Sequence, residues 1–518
     1  MLTDDVSYQL SAAYSHSEGG FESRDAAIHK TKLAFAGYGG ADCPAYLAND
    51  ESIVTNGAVA GQGNCEWFNP FSTGIEAGYW GQYPNPNYVE GSENSQALLE
   101  WIDDSWWQKG ENDLFTVDLV FQQSVENIDL AYGFQVRHNQ VEQDPGDLNN
   151  LEINPCRVPG YMDCQNKTGL HSFLGASTPY DLDQTVYAAF GEAAVSLNAD
   201  TVVQIGARYE NYGSEKETFD PKLSVQYYIT DRLSFRGSVQ TTFRGPTPND
   251  LDPGSATALA YVPATIAFKA IDTTGNPDLD PESAFTYNFG LVFSGDNLTA
   301  SVDYWAFDFE NPIMVQSYNQ IADAYAAGGA SKEAVQAQVT CVGGVTDGSC
   351  IPFNIERIQA NIVNGPRTET SGLDFYTDYR WDLDGAQVNL GLEGSYTFRY
   401  DVDAYYINGV KVADAFEAAG YYNFLNGVRP MPDLKMRAHA NLAIGNMHNV
   451  VAYVNYISSY EDRRTDPLIQ AAGGEVDSHT TIDLHYTARF MGDTLSFTVS
   501  ALNVTDEEPP VAYGDLMY

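Results

Sequence analysis

The chain is short of three things, and each shortage excludes something. No apolar run reaches the ~18 residues that a membrane-spanning helix needs, so helical spans are excluded. Strands that hide an apolar band in every second residue are not. Cations are scarce: Lys and Arg number 26 against 70 Asp and Glu, for a formal net charge of −44. Binding along a phosphate backbone is thereby excluded, and with it a nucleic-acid partner. Such acidity suits a surface bathed in divalent cations, one that attracts basic or metal-bearing ligands, or one selected for solubility alone. The start 'MLTDDVSYQL' lacks the basic, apolar and cleavage regions of an export signal. Motifs for enzyme chemistry are missing too: there is no His-Glu-x-x-His, Gly-x-Ser-x-Gly or phosphate-binding Gly-rich loop with Lys. Asp382, Asp384 and Glu393 stand at calcium-loop spacing, but Ala386 and Gln387 occupy positions that need a ligand and a glycine. We therefore expect no catalytic residue, no metal site and no cofactor.

Cysteine is sparse but patterned. The six fall into close pairs, Cys43 with Cys65, Cys156 with Cys164 and Cys341 with Cys350, each in a segment rich in Gly, Asn, Asp and Pro. Local pairing inside loops predicts disulfides made in an oxidising compartment. Oxidised loops without an export signal conflict, and the simplest resolution is a chain whose true beginning lies upstream.

Alternation is abundant. In 'AQVNLGLEGSYTFRY', Val388, Leu390, Leu392, Gly394, Tyr396, Phe398 and Tyr400 oppose Gln387, Asn389, Gly391, Glu393, Ser395, Thr397 and Arg399. 'DLKMRAHANLAI' and 'TIDLHYTARF' behave alike, and period 2 is the mark of a strand. Seven short polar turns, at 124–127, 197–200, 229–232, 294–297, 382–385, 445–449 and 491–494, join such runs into hairpins. With an opening strand over Val6–Ser15 they predict fifteen strands, longer than those of soluble sheets. Tyr209, Phe243, Trp381 and Tyr400 at strand ends suit an interfacial girdle. The expected fold is all-β, a transmembrane antiparallel barrel. Its short turns face the periplasm, and long loops at 16–113, 139–182, 245–281, 310–368, 401–432 and 460–479 lie outside. In the fourth of these, 'NQIADAYAAGGASKEAVQAQVT' reads as helix on either side of Gly328-Gly329, with Ser331 capping the second.

Two groups of side chains are candidates for ligand contact. Tyr79, Trp80, Trp101, Trp106 and Trp107 concentrate aromatic surface beside carboxylates in the first loop, where they could stack on sugars or flat organic ligands or pack as a loop core. Arg208, Arg236, Arg244, Arg399, Arg437 and Arg489 form a polar-face row in an otherwise acidic chain. The reading from the residues alone is that they pair with carboxylates such as Asp374, Asp378, Glu393 and Asp483.

Four stretches, in order, resemble TonB-dependent outer-membrane receptors. They are 'GNCEWFNPFSTG' (63–74), 'FRGPTPNDL' (243–251), 'GNPDLDPESAFTYNFGLVF' (275–293) and 'VSALNVTDEEPP' (499–510). The resemblance implies a barrel of about 22 strands around an N-terminal plug. It implies energised import of a scarce nutrient (a ferric siderophore, an oligosaccharide or a peptide) across a Gram-negative outer membrane. The partners it implies are TonB, through a box near the N-terminus, outer-membrane lipid with lipopolysaccharide, and the small ligand. No TonB box, plug or final strand is legible in residues 1–518, so we expect the later part of such a barrel, unable to close by itself. Haem receptors of the family carry a His between the second and third stretches, and 245–281 has none. A passive porin-type channel and a secreted all-β carbohydrate-binding protein are the alternatives.

Overall fold

The computed structural model describes residues 6–512 apart from 78–83, 165–166, 214–215, 424–427, 465–466, 472 and 493. One antiparallel ladder of fifteen strands runs through the chain in sequence order, each strand paired with the next. We number them β1 (Val6–Ala26), β2 (Asp103–Val125), β3 (Ile128–Pro145), β4 (Tyr180–Asn198), β5 (Thr201–Asn211), β6 (Glu217–Thr230), β7 (Leu233–Arg244) and β8 (Glu282–Ser294). There follow β9 (Leu298–Glu310), β10 (Thr368–Leu383), β11 (Ala386–Val402), β12 (Leu434–Ile444), β13 (His448–Ile457), β14 (His479–Phe490) and β15 (Leu495–Ala501). The fifteen strands and seven tight turns are those expected. Left-handed backbone at Glu126, Gly385, Gly445 and Gly492 closes four of the turns, a geometry such turns demand. β1 and β15 are the ends of the ladder and, among the described residues, do not pair with each other.

Strands are longer on the loop side than the hydrophobic pattern indicates. β1 has 21 residues and β2 has 23. At ~3.3 Å per residue β2 is about 75 Å long, well beyond a ~30 Å hydrocarbon core. The outer halves are polar yet still laddered, with Glu18 opposite Glu111 and Glu22 opposite Trp107. Lys109 sits between Glu18 and Glu111, at 3.2 and 2.5 Å, and offsets their repulsion. The first loop thus spans 27–102 rather than 16–113, because backbone pairing continues where apolar alternation stops.

One register shift corrects the face assignment. Between β10 and β11 the pairing steps from Gly372–Thr397 to Ser371–Arg399, leaving Phe398 unopposed. A bulge of this kind flips every later side chain. Arg399 therefore leaves the polar inner row and meets Glu369 and Asp401 on the outer face, while Tyr400 turns inward beside Thr397 and Lys435.

The deepest core lies outside the barrel. Val262, Ile271, Ile321, Tyr325, Val335, Ile355 and Ile358, all in the long loops, are almost fully enclosed and pack together with Ile407. A second sheet joins three loops: Ser255–Val262 pairs with Ala267–Thr274, which pairs in parallel with Ile355–Asn364, while Ala176–Ser177 extends one edge. The helices at Tyr318–Ala327 and Gly329–Val335 cover it. They flank Gly328 as expected, but Gly328 caps the second helix and Ser331 lies inside it. The helix begins as soon as the left-handed glycine pair releases the chain. Ser317 caps the first, accepting from the Gln320 amide at 3.4 Å.

Candidate functional site: the outer mouth and the luminal wall

The luminal wall is a lattice of charge pairs fixed by strand register. Arg236 on β7 stands opposite Gly290 on β8, which stands opposite Asp303 on β9. Glycine leaves the middle position empty, so the guanidinium reaches across it and bonds both Asp303 oxygens, each at 2.7 Å. A Cβ at Gly290 would lie 2.6 Å from the Asp303 Cγ. The device recurs three strands on: His439 on β12 reaches over Gly391 on β11 to Asp378 on β10, at 3.3 Å. Arg244 pairs directly with Glu282, Nε and Nη2 each 2.8 Å from a carboxylate oxygen, and also donates to the Ile313 carbonyl at 3.0 Å. Arg208 bonds Glu210 and Gln135, and Arg437 lies over the Tyr453 ring at 3.8 Å. Arg236, Arg244 and Arg208 do pair with carboxylates, but with Asp303, Glu282 and Glu210. Asp374 instead receives the Trp305 indole at 3.0 Å, and Asp483 the Asn455 amide at 2.9 Å. Planar fork-to-carboxylate pairing of this kind fixes side-chain geometry while leaving these groups wet.

At the outer mouth, bonds join Cys43 to Cys65, Cys156 to Cys164 and Cys341 to Cys350. The loop module is pinned by Arg357, whose side chain is 8% exposed. It donates to both oxygens of Asp272, and its Nη2 also reaches Thr257 Oγ1 at 3.1 Å. Nη1 is buried without a partner, so the bonds of Nε and Nη2 must offset the cost of enclosing the charge. Beside this module a cleft of about 590 Å³ opens between loops 311–367 and 403–433. Tyr318, Tyr400, Tyr405, Phe416, Met314 and Asp403 are among its lining, and among the described residues neither Lys nor Arg is. Its volume falls in the range of small-molecule sites.

The sequence-predicted aromatics divide. Tyr79 and Trp80 lie outside the described residues. Trp106 is 9% exposed, donates to the Gly175 carbonyl at 3.1 Å and meets Phe21 edge-on. Trp101 packs on Ala34, Leu98 and Ile102. Trp107 lies against Gly146, and its carbonyl accepts from the Gly146 and Asn149 nitrogens. These three hold loops together. Open aromatics of the region include Phe71 and Trp67, 70% and 57% exposed, both in the stretch 'GNCEWFNPFSTG', and Trp67 is the open tryptophan among the described residues of 27–102. Exposure of one Trp among many aromatics has no sequence signal, although the surrounding Gly37, Gly61 and Cys65 hint at a constrained surface loop.

The ladder of long antiparallel strands, with tight turns at one end and disulfide-bonded loops at the other, has the architecture of an outer-membrane β-barrel. Residues 3–504 match the family described as TonB dependent receptor-like, beta-barrel, and the chain belongs to it. The ferrienterobactin receptor of Escherichia coli is 20% identical over 254 residues, 48% of this chain and 33% of that protein. The ferric enterobactin receptor of Pseudomonas aeruginosa is 22% identical over 132 residues, 25% of this chain and 17% of that protein. Among solved structures, a point mutant of the Pseudomonas aeruginosa ferric enterobactin receptor PfeA superposes with a TM-score of 0.52 at 15% identity, covering 78% of this chain and 50% of that one. The siderophore receptor PirA of Acinetobacter baumannii gives 0.51 at 14%, covering 82% and 55%. This chain thus spans about half the length of the solved relatives and a third or less of the two curated ones.

Proposed function

We propose that this chain supplies the wall and outer mouth of a TonB-energised receptor that imports a ferric siderophore. The observation that carries the reading is the cleft of about 590 Å³ where two exterior loops meet the rim of the ladder. Loops capture, a rigid wall positions, and passage requires energy delivered from the inner side. TonB, outer-membrane lipid and the chelate are the partners of the whole receptor. The cleft supplies stacking surface from Tyr318, Tyr400 and Tyr405 for a ring-bearing chelate.

A second reading, an oligosaccharide ligand, is favoured by the exterior charge. Lys30, Lys32, Arg157, Arg357, Arg367 and Arg464 are each paired with a carboxylate, and the chain's formal net charge of −44 opposes an anionic chelate. The deciding experiment is uptake of radiolabelled iron from a panel of ferric siderophores, in cells with and without the receptor and with and without TonB. Uptake that needs both supports import of a siderophore. Uptake that needs the receptor but persists without TonB indicates a passive channel. Receptor-dependent growth on an oligosaccharide, without iron uptake, selects the second reading.

A further inference from the structure

The first loop carries an aromatic surface that the import reading does not use. The Gly61 amide donates to the Gly37 carbonyl at 2.8 Å, which brings two left-handed glycines together, at φ 66° and 81°. The indole of Trp67 lies across this pair. A Cβ on Gly37 would come within 2.5 Å of its Cε2, and one on Gly61 within 2.5 Å of its Cδ1. Only glycine backbone admits the ring so closely. Two residues before it, Cys65 is bonded to Cys43, and one residue before it, Glu66 exchanges both backbone hydrogen bonds with Gly39. One residue after it, Phe68 is held edge-on against Phe35 at 5.3 Å. The indole is therefore seated on a rigid base, yet it is 57% exposed. A core tryptophan would be covered, and the positive φ and the close approach of the ring both require glycine at 37 and 61.

The charge around the ring selects what can stack on it. Lys30 and Lys32 are the cations of residues 27–102, and they face Asp104 at 2.9 Å and Glu51 at 3.1 Å. Glu66 precedes Trp67 in the chain, and Asp42, Glu76 and Glu90 lie on the same loop. An anionic ring, such as a catecholate or a sugar phosphate, meets repulsion here. A neutral sugar ring presents C–H groups to the indole face and hydroxyl donors to the carboxylates.

We propose that Trp67, seated on Gly37 and Gly61, is a stacking platform for a neutral saccharide ring at the outer tip of the first loop. The saccharide is either an exogenous oligosaccharide or the neutral core sugars of lipopolysaccharide, both of which offer this chemistry. The platform does not depend on which ligand the barrel imports.

The test titrates the receptor in detergent with neutral hexasaccharides of glucose, mannose and xylose and with dephosphorylated lipopolysaccharide core oligosaccharide. At least one should bind, W67A should weaken it about tenfold, and W67F should recover part of the loss. An intact Cys43–Cys65 bond, checked by mass spectrometry, certifies the loop in each variant. On the wild-type protein the same saccharide should shield Trp67 from N-bromosuccinimide oxidation, a readout that no folding defect can mimic. Binding of the core sugars alone assigns the platform to the envelope, and binding of a hexasaccharide alone assigns it to capture. If no sugar in the panel binds, or if W67A binds as tightly as wild type and Trp67 stays unprotected, the proposal is overturned. Iron uptake measured in W67A keeps failure of the platform distinct from failure of the import reading.

Discussion

Acidification should release the first loop from its neighbour, and the size of the effect follows from two histidines. His29 is half-buried in the helix Ile28–Phe35, and His171 is 2% exposed in the loop after β3. Backbone bonds clamp the segments together: Ile28 N to Leu170 O at 2.8 Å, and Ser172 N to Ala26 O at 3.0 Å. The buried Nδ1 of His29 has no hydrogen-bond partner. Burial, with Lys30 nearby, lowers the His29 pKa from its ordinary 6.5 to about 4, although Asp104 pulls the other way. Burial lowers His171 as well, against the opposing pull of Asp25, Asp104 and the Ser105 backbone. Both groups bind protons more readily in the opened state. Their contribution is therefore complete above about pH 6.5 and is lost as pH falls toward the folded value. For His29 the ceiling is about 3 kcal/mol, reached near pH 4, equivalent to about a hundredfold in the opening constant. Hydrogen exchange of residues 26–35 and 169–174, corrected for the intrinsic rate, should show protection falling steeply between about pH 6.5 and 4.5. Residues 255–274, which have no histidine, should change little over the same range. In H29Q the pH dependence should shrink. Equal protection at both ends of the range, or a fall that H29Q leaves untouched, would refute the reasoning.

Removing Asp272 by D272A leaves the Arg357 guanidinium buried without its partner and should destabilise the exterior module by about 3–5 kcal/mol; exchange in 255–274 and 355–364 reports it, while the strand ladder stays intact. Gly290→Val should displace the Arg236–Asp303 bridge and crowd the Val302 carbonyl, costing about 1–3 kcal/mol; the unfolding midpoint in urea with lipid measures it, and R236A should leave much of that loss unchanged. Reducing Cys43–Cys65, 22 residues apart, should weaken the first loop by about 3 kcal/mol, seen as new cleavage by protease added outside. A cysteine placed at Asp384 should react with a membrane-impermeant thiol reagent only after the outer membrane is breached, whereas one at Asp347 should react in intact cells.

The ladder was legible because its cues are local. Alternation with period 2 and turns such as 382–385 depend on neighbours a few residues away, so strand number and order could be read directly. Strand ends were less legible: the polar outer half of β1 pairs through backbone groups that every residue carries. The bulge at Phe398 is one extra residue in a regular run, and the sequence 'SYTFRY' is equally compatible with no bulge. Arg236 and Arg244 were visible as odd cations on a polar face. Their partners were not, because Asp303 is chosen by the strand two places along and by the emptiness of Gly290. Sequence left Trp101, Trp106 and Trp107 open between ligand surface and loop core, because nothing local signals that helix Gln96–Ile102 and the Gly175 carbonyl would engage two of them.

Residue type and short spacing were enough to set the class of fold, the number and order of its strands, the turns that reverse them and the excess of negative charge. Where the core lies, and which aromatic faces solvent, was settled only by long-range packing. Asp272 and Arg357 meet across 85 positions, and the loops at 245–281 and 311–367 share one parallel pairing. Trp67 rests on glycines that precede it by thirty and by six residues. Those contacts form only after the ladder has brought the loop ends to one rim, and no local propensity encodes them.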